Sequence, residues 1–587
     1  MSSALMASAG ERIQLPGFGL PMQVHPTPPN APANPEKSTR FPHAIADYFA
    51  SNGVTERELR MLDFVNQITD KPDWHRKVSD EQIVKKWEKE AVRFDETLDD
   101  FYLSEKMFEV CLEELREKAA IFEKTQMVHV LDAELTVVKS DSMVPTELQQ
   151  ALLAAVRPLE DVPENQQDWH PGSDNQVLDL VHPSLFPLVY GLSRVLPVGK
   201  VPLDECAKYT GLGETIPIDT SPRAQVKQTS WGNELHQRPT PPETQGSVRR
   251  LGAARGQGNS ALERYPLVVP HQDSDKRGGT GSEDYEIPDG LVYDGPDNMI
   301  GVSESDDEYD ERLEMLEDSD EYRDWKEEHQ VLIQREPHDY VPFKSAIPEG
   351  HAHIDLRTRF ADTGLQVIFK LANIHLTPEK PRYPGGTWHV EGALNEHICA
   401  TALYYYDQSN ITDSHLSFRQ ELNIEELVMM PEQHHYQSCE AYFGIANDEA
   451  AVKELGRVLT RPGRLLTFPN VLQHQVSGFG LADPTRPGHR KILAMFLVDP
   501  HVPVLSTANV PPQDRRWWAE ELRHAPGQRL SRLPKELFDE ITNGVEDFPI
   551  SWDQAVDIRA RLMDERGAIQ ASIGEAMESN HFSFCEH

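Results

Sequence analysis

The chain has 587 residues with 57 Lys/Arg against 96 Asp/Glu, and its formal charge of −39 excludes phosphate backbones and anionic membranes as partners of the whole molecule. With 38% hydrophobic residues it is long enough to bury a sizeable core, and its 44 prolines mark many loops. Five cysteines, Cys111, Cys206, Cys399, Cys439 and Cys585, form no CxxC pair, which argues for reduced thiols in the cytoplasm or nucleus and against a disulfide frame or a cysteine-built zinc site.

The opening residues, MSSALMASAGERIQLPGFGLP, lack a basic stretch followed by an apolar core, and no window approaches the ~18 apolar residues of a membrane span, so a soluble chain is expected. Residues 1–40 are rich in Pro and small side chains and are expected to be extended. From His43 onward Ile45, Tyr48, Phe49, Leu59, Leu62, Phe64 and Val65 fall at helical spacing. Ser79 and Gln82 form a capping-box pattern ahead of Ile83, Val84, Trp87 and Ala91. Further helices are predicted over 103–125 and 146–156, so 1–214 reads as a mainly helical region without a catalytic grouping.

From 215 to 335 the composition changes. Residues 222–277 hold nine Lys/Arg, five Asp/Glu and few large apolar residues, while 303–328 hold 14 acids against three bases. The first stretch has too little apolar surface to offset the entropy of ordering, so a disordered, charged insertion is expected.

Strand patterns dominate 336–510, at 364–376, 387–391, 397–406, 415–421, 437–445, 464–468, 471–478 and 490–498. Turns such as Arg461-Pro462-Gly463 separate them. Many short strands without intervening helices predict a jelly roll, that is, a double-stranded β-helix core. With helical patterns returning over 511–587 (Pro511 to Ala525, then from Ser551), the fold class is α+β, a jelly-roll core with N-terminal and C-terminal helical extensions.

Three His-x-Asp/Glu pairs occur, His271/Asp273, His353/Asp355 and His389/Glu391, and with 24 histidines and 96 acids chance alone supplies a few. Context separates them. The first lies in the charged insertion. The second, with His351, has the His-x-His of a cupin-like site but no Glu at a matching distance. The third follows the Pro384-Gly385-Gly386 turn on a strand-like run, where period two puts both side chains on one face.

His474, in a Pro-Asn-x-x-x-His-x-Val setting, then supplies a third ligand, and Arg490 opens the last strong strand. Two histidines and a carboxylate leave three positions of an iron ion open, room for a chelating 2-oxo acid and dioxygen. A buried guanidinium suits the far carboxylate of such an acid, although strand parity leaves Arg490 and Lys491 both open for that role. Tyr383, Trp388, Asn395, Tyr404 and Tyr406 are candidate pocket residues. His434-His435 read better as solvated loop.

From Gly364 to about Trp518 the words WHVEG, PNVLQHQV and GHRK, with LPGFGLPMQV and ITDKPDWHRKV upstream, closely resemble the fungal family catalogued as domain of unknown function 4246. Those motifs are similar to ones of the iron(II)/2-oxoglutarate oxygenase superfamily. The resemblance implies iron(II) on His389, Glu391 and His474, 2-oxoglutarate on Arg490, dioxygen as co-substrate, and oxidation of a substrate that the resemblance does not name. A small molecule, such as one of fungal secondary metabolism, is expected ahead of a protein side chain. The alternative is a jelly-roll binding module without turnover that acts through its charged insertion. Nothing in the sequence sets the oligomeric state.

Overall fold

The computed structural model describes residues 12–20, 41–45, 54–95, 100–133, 135–218, 285–286, 319–332, 336–342, 356–422, 437–524, 529–546 and 548–581. Residues 222–277, most of the acidic run, His271/Asp273, His351 to Asp355 and His434-His435 lie outside them.

Helix α1 (Glu56–Thr69) starts on a capping box between Thr55 and Glu58. In α2 (Glu81–Ala91) the cap is Asp80, not Ser79: its carboxylate accepts the N–H groups of Gln82 and Ile83. Helix α3 (Glu105–Thr125) is capped by Ser104. Three strands then interrupt the helical reading of this region, β1 (Val128–Val130), β2 (Val137–Ser140) and, after α4 (Thr146–Glu160), β3 (Val177–Val181). β1 pairs with β2 as a local hairpin, but β2 and β3 are fixed by pairing with strands hundreds of residues away, which local periodicity does not record.

The core follows as β4 (Val367–Leu376), β5 (Arg382–Tyr383), β6 (Ile398–Ser409), β7 (Ser414–Glu421), α5 (Gln437–Phe443), β8 (Val452–Thr460), β9 (Leu465–Pro469), β10 (Gln473–Val476), β11 (Phe479–Gly480) and β12 (Gly488–Val498). Helices α6 (Arg515–His524), α7 (Lys535–Asn543) and α8 (Trp552–Ser579) close the chain, the last on the Ser551/Gln554 capping box read from sequence.

A seven-stranded sheet runs β1-β2-β9-β6-β12-β4-β3, every pairing antiparallel, and a three-stranded antiparallel sheet runs β8-β7-β10. The chain crosses repeatedly between them, with β4, β6, β9 and β12 in the large sheet and β7, β8 and β10 in the small one. Their facing sides share one core, in which Leu403, Tyr405, Phe468 and Phe496 meet Leu416, Phe418, Leu455 and Val458. The other face of the large sheet is covered by α4, through Leu152 and Val156 against Tyr404, Tyr406 and Leu493. Mixed α and β structure around a large antiparallel sheet is thus present as expected.

Two strand expectations need correction. Residues 437–443 are helical: Cys439, Tyr442 and Phe443 fit a helical i, i+3, i+4 face as well as alternation, and so short a run is ambiguous. Residues 387–391 form no strand, only an isolated antiparallel bridge between His389 and His474. No described helix is long and apolar enough to cross a membrane.

Candidate metal centre

The turn before His389 docks onto the end of β10. Gly386 donates its N–H to the Val476 carbonyl at 2.9 Å, and Gln475 Nε2 donates to the Gly386 carbonyl at 2.8 Å. Gly385 has φ +103°, and a Cβ there would lie 2.8 Å from the Val476 carbonyl oxygen, so this close approach needs glycine. Three residues on, His389 and His474 exchange both backbone hydrogen bonds, at 3.1 and 3.0 Å. Such a directly opposed pair places two side chains next to each other, and the two rings lie 4.4 Å apart between centroids.

Glu391 is brought to the same point by Asn470 of the Pro469-Asn470 turn. Asn470 Oδ1 accepts the Glu391 N–H at 2.8 Å, and Nδ2 donates to the carbonyls of Glu391 and Ile398 at 2.9 and 3.0 Å. Glu391 Oε1 then sits 3.7 Å from His389 Nε2 and 3.4 Å from His474 Nε2. The three ligand atoms lie within 4.8 Å of one another, so the cluster can hold a metal ion.

The far ring nitrogens fix the tautomers. Nδ1 of His389 faces the Thr387 carbonyl at 2.8 Å and Nδ1 of His474 faces the Leu472 carbonyl at 3.4 Å. A carbonyl only accepts, so both protons sit on Nδ1 and both Nε2 lone pairs turn to the shared point. Burial works to raise the Glu391 carboxyl, but hydrogen bonds and charge from the two histidines hold it well below the usual carboxylate range. Burial and the neighbouring His389 lower His474, whereas in His389 the carboxylate outweighs burial and the pKa rises. The His474 side chain is 3% exposed and that of His389 31%, so the centre is deep on one side and open on the other.

Arg490 is completely buried on β12, with Ile492 and Ala494 following it on the inward face. Its Nη1 donates to Ser414 Oγ, and Phe479 and Tyr405 lie 4.7 and 5.6 Å from its guanidinium carbon. Nε and Nη2, the two nitrogens of one edge of the fork, have no partner among the described residues. Lys491 points the other way, to Glu160 at 3.0 Å and Asp407 at 3.5 Å. Of the two, Arg490 is the one that faces the core.

The aromatic candidates divide. Tyr383 stacks on Phe479 at 5.3 Å near Arg490; burial raises its hydroxyl and the guanidinium opposes the rise. Asn395 is half-buried in the loop after Glu391. Tyr404 and Tyr406 do share a face, but it is the one under α4, where the Tyr406 hydroxyl donates to Asn373 at 3.1 Å. Tyr405, between them, turns inward. Trp388 packs under the Arg419 guanidinium at 4.9 Å, and Arg419 Nε donates to Gln473 Oε1, so Trp388 sits with the outward-alternating residues of β7 and β10 rather than with His474.

Sequence reading missed Asn470, Ser414, Tyr405 and Phe479. It also missed Lys370, which lies opposite Ala494 on the inward side of β4 and whose charge opposes the rise at His389. Asn470 was within reach, because an Asn after Pro near a predicted ligand commonly bonds to backbone. The others are placed by the sheet register.

A second cluster comprises His170, Asp179 and His182. His170 Nδ1 lies 2.8 Å from Asp179 Oδ2, and His182 Nε2 lies 3.9 Å from the same oxygen. Here His182 Nδ1 accepts the N–H of Ser184 at 3.1 Å.

A mixed α/β chain built on a large antiparallel sheet, with a His/Glu/His cluster in its core, is the class that fold and site define. Matches over residues 105–246 and 259–521 to the family described as "Protein of unknown function (DUF4246)", and over 15–90 to its N-terminal domain, show that the chain belongs to that family. No curated protein matches it. Among solved structures, IDO from Bacillus thuringiensis is 12% identical over 24% of this chain and 53% of its own, with a TM-score of 0.15. The Fe(II)/(alpha)ketoglutarate-dependent dioxygenase TqaL is 17% identical over 27% of this chain and 50% of its own, TM-score 0.15. EvdO2 from Micromonospora carbonacea var. aurantiaca, solved with 2-oxoglutarate, is 12% identical over 23% and 53%, TM-score 0.13. The match thus spans about half the length of each of these three structures.

Proposed function

We propose that the chain is an iron(II)- and 2-oxoglutarate-dependent oxygenase on a double-stranded β-helix, acting on a small molecule. The observation that carries this reading is the buried Arg490 with one edge unpartnered among the described residues, in the same core as His389, Glu391 and His474. An uncompensated buried cation is costly, and Nε with Nη2 matches the two oxygens of a carboxylate. A metal-chelating diacid meets both requirements, with one end on the ion and the other on Arg490 and Ser414. The repeated crossing of the chain between two sheets agrees with the β-helix.

Two neutral imidazoles and one carboxylate suit iron(II) and leave part of its coordination sphere for ligands other than protein. Bound there, iron supplies oxidation of the substrate coupled to decarboxylation of 2-oxoglutarate by dioxygen, giving succinate and carbon dioxide. The chain's own residues do the rest. The Thr387 and Leu472 carbonyls hold the imidazole rings in register, and Asn470 fixes the backbone that carries Glu391. Phe418 and Phe468 wall His474 off from water, at ring distances of 6.5 and 4.8 Å. The exposed side of His389 leaves the substrate's approach.

Anaerobic titration with iron(II) and 2-oxoglutarate tests the reading. Wild type is expected to bind one iron per chain and develop a visible charge-transfer band, and His389→Ala to show none. Folded wild-type protein that takes up neither iron nor 2-oxoglutarate overturns it.

A further inference from the structure

The backbone between His389 and Glu391 is held by a residue nearly 180 positions further along the chain. Gln570 of α8 accepts the Val390 N–H at 3.2 Å through Oε1 and donates to the Val390 carbonyl at 3.0 Å through Nε2. Sheet pairing ends at the single bridge between His389 and His474, so a strand neighbour for Val390 is replaced by a side chain. A primary amide offers one donor and one acceptor, as a peptide group does, and it completes a buried backbone position that would otherwise lose two hydrogen bonds.

The same helix grips the other end of the ligand loop. Arg566 Nη2 meets Glu396 Oε2 at 2.7 Å, and that carboxylate accepts the Ala393 N–H at 2.6 Å. Two turns further back, Arg559 makes two bonds to Asp168, at 2.8 and 2.9 Å. Positions 559, 566 and 570 are spaced seven and four apart, one face of a helix.

We propose that α8 is an integral support of the metal centre, with Gln570 as a positioning residue that sets the Val390 peptide and, through it, the directions of His389 and Glu391. This rests on the metal-binding reading above. Two ligands two residues apart share the intervening peptide planes, so a rotation at Val390 moves both donors at once. Loss of a partner behind metal ligands weakens metal binding by about 10- to 100-fold.

The test uses the full chain freed of metal and titrated with cobalt(II), read by affinity and by the visible ligand-field bands. Gln570→Leu is expected to weaken cobalt binding at least ~10-fold and to shift the bands. Gln570→Glu, which keeps an acceptor for the Val390 N–H but loses the donor, is expected to fall between, and it carries the test should the Leu variant not fold. Arg561→Ala, which removes an exposed pair with Asp557 elsewhere on α8, is expected to bind as wild type does. Folded Gln570 variants with wild-type affinity and bands overturn the proposal, as does Arg561→Ala weakening cobalt as much as Gln570→Leu. A wild type that binds no cobalt removes the metal reading itself, and this inference with it.

Discussion

His389, Glu391 and His474 on one side, and His170, Asp179 and His182 on the other, are each two histidines and a carboxylate within reach of one ion, yet their ring nitrogens are turned differently. The difference lies in the ring nitrogen that faces away. In the first cluster both Nδ1 atoms face carbonyls and donate, which frees both Nε2 lone pairs. In the second, His182 Nδ1 accepts from Ser184, so the proton of the neutral ring sits on Nε2, where a ligand lone pair would have to be. Burial holds His182 well below the usual histidine range and so keeps the ring neutral. Its carboxylate is also committed elsewhere, with Arg559 3.9 Å from Asp179. On the proposed reading the first cluster is the metal site, while the second joins β3 to α8.

The most forceful way to break that comparison is to exchange the losses. His389→Ala or His474→Ala should weaken cobalt or iron binding by more than ~100-fold, beyond the effect of losing an outer partner, in calorimetric titration. His182→Ala should keep one metal per chain while lowering unfolding free energy by about 1–3 kcal/mol, the cost of leaving a buried group unpaired. Metal loss in His182→Ala would invert the assignment.

A second test sets two buried arginines against each other. Arg559 is paired with Asp168, and Arg559→Met should cost about 3–5 kcal/mol in denaturant unfolding because a carboxylate is left buried without its cation. Arg490 pairs with no carboxylate among the described residues, so Arg490→Met should leave stability unchanged or raise it. The same change should weaken 2-oxoglutarate by about 1.5–3 kcal/mol, the worth of bonds to a charged group.

The smallest expected effect is on pH dependence. The folded state holds His182 below its unfolded value of about 6.5, so the unfolded state binds the extra proton as pH falls. The stability due to a neutral His182 is therefore complete above about pH 6.5 and is lost progressively below it. In His182→Gln that part of the slope should vanish, so the stability gap to wild type narrows between pH 7.5 and 5.5, by urea unfolding at each pH.

That His389, Glu391 and His474 come together was legible because their order along the chain carries more information than any pair alone. Parity could say that Tyr404 and Tyr406 share a face, but not which face, since both sides of β6 are buried and both read as apolar. β8 went unread because KELGRVLT is interrupted by Gly456 and pairs with β7 across a bulge. β2 and β3 pair with strands more than 180 residues away. Gln570 was beyond reach for a related reason: amphipathicity marks the buried face of a helix, not the backbone that a polar residue on that face will meet.

The paired backbones of His389 and His474 have a consequence for the order of events if the cluster takes up an ion as proposed. Their two hydrogen bonds, the Asn470 bridge and the Gly385 turn are made by peptide and amide groups alone. Assembly of the donor set is therefore part of chain folding and does not wait for metal, unlike small domains that stay unfolded until an ion arrives. On the proposed reading, the chain would fold first and load its ion afterwards. Its loaded fraction would follow the iron status of its surroundings rather than its own rate of synthesis.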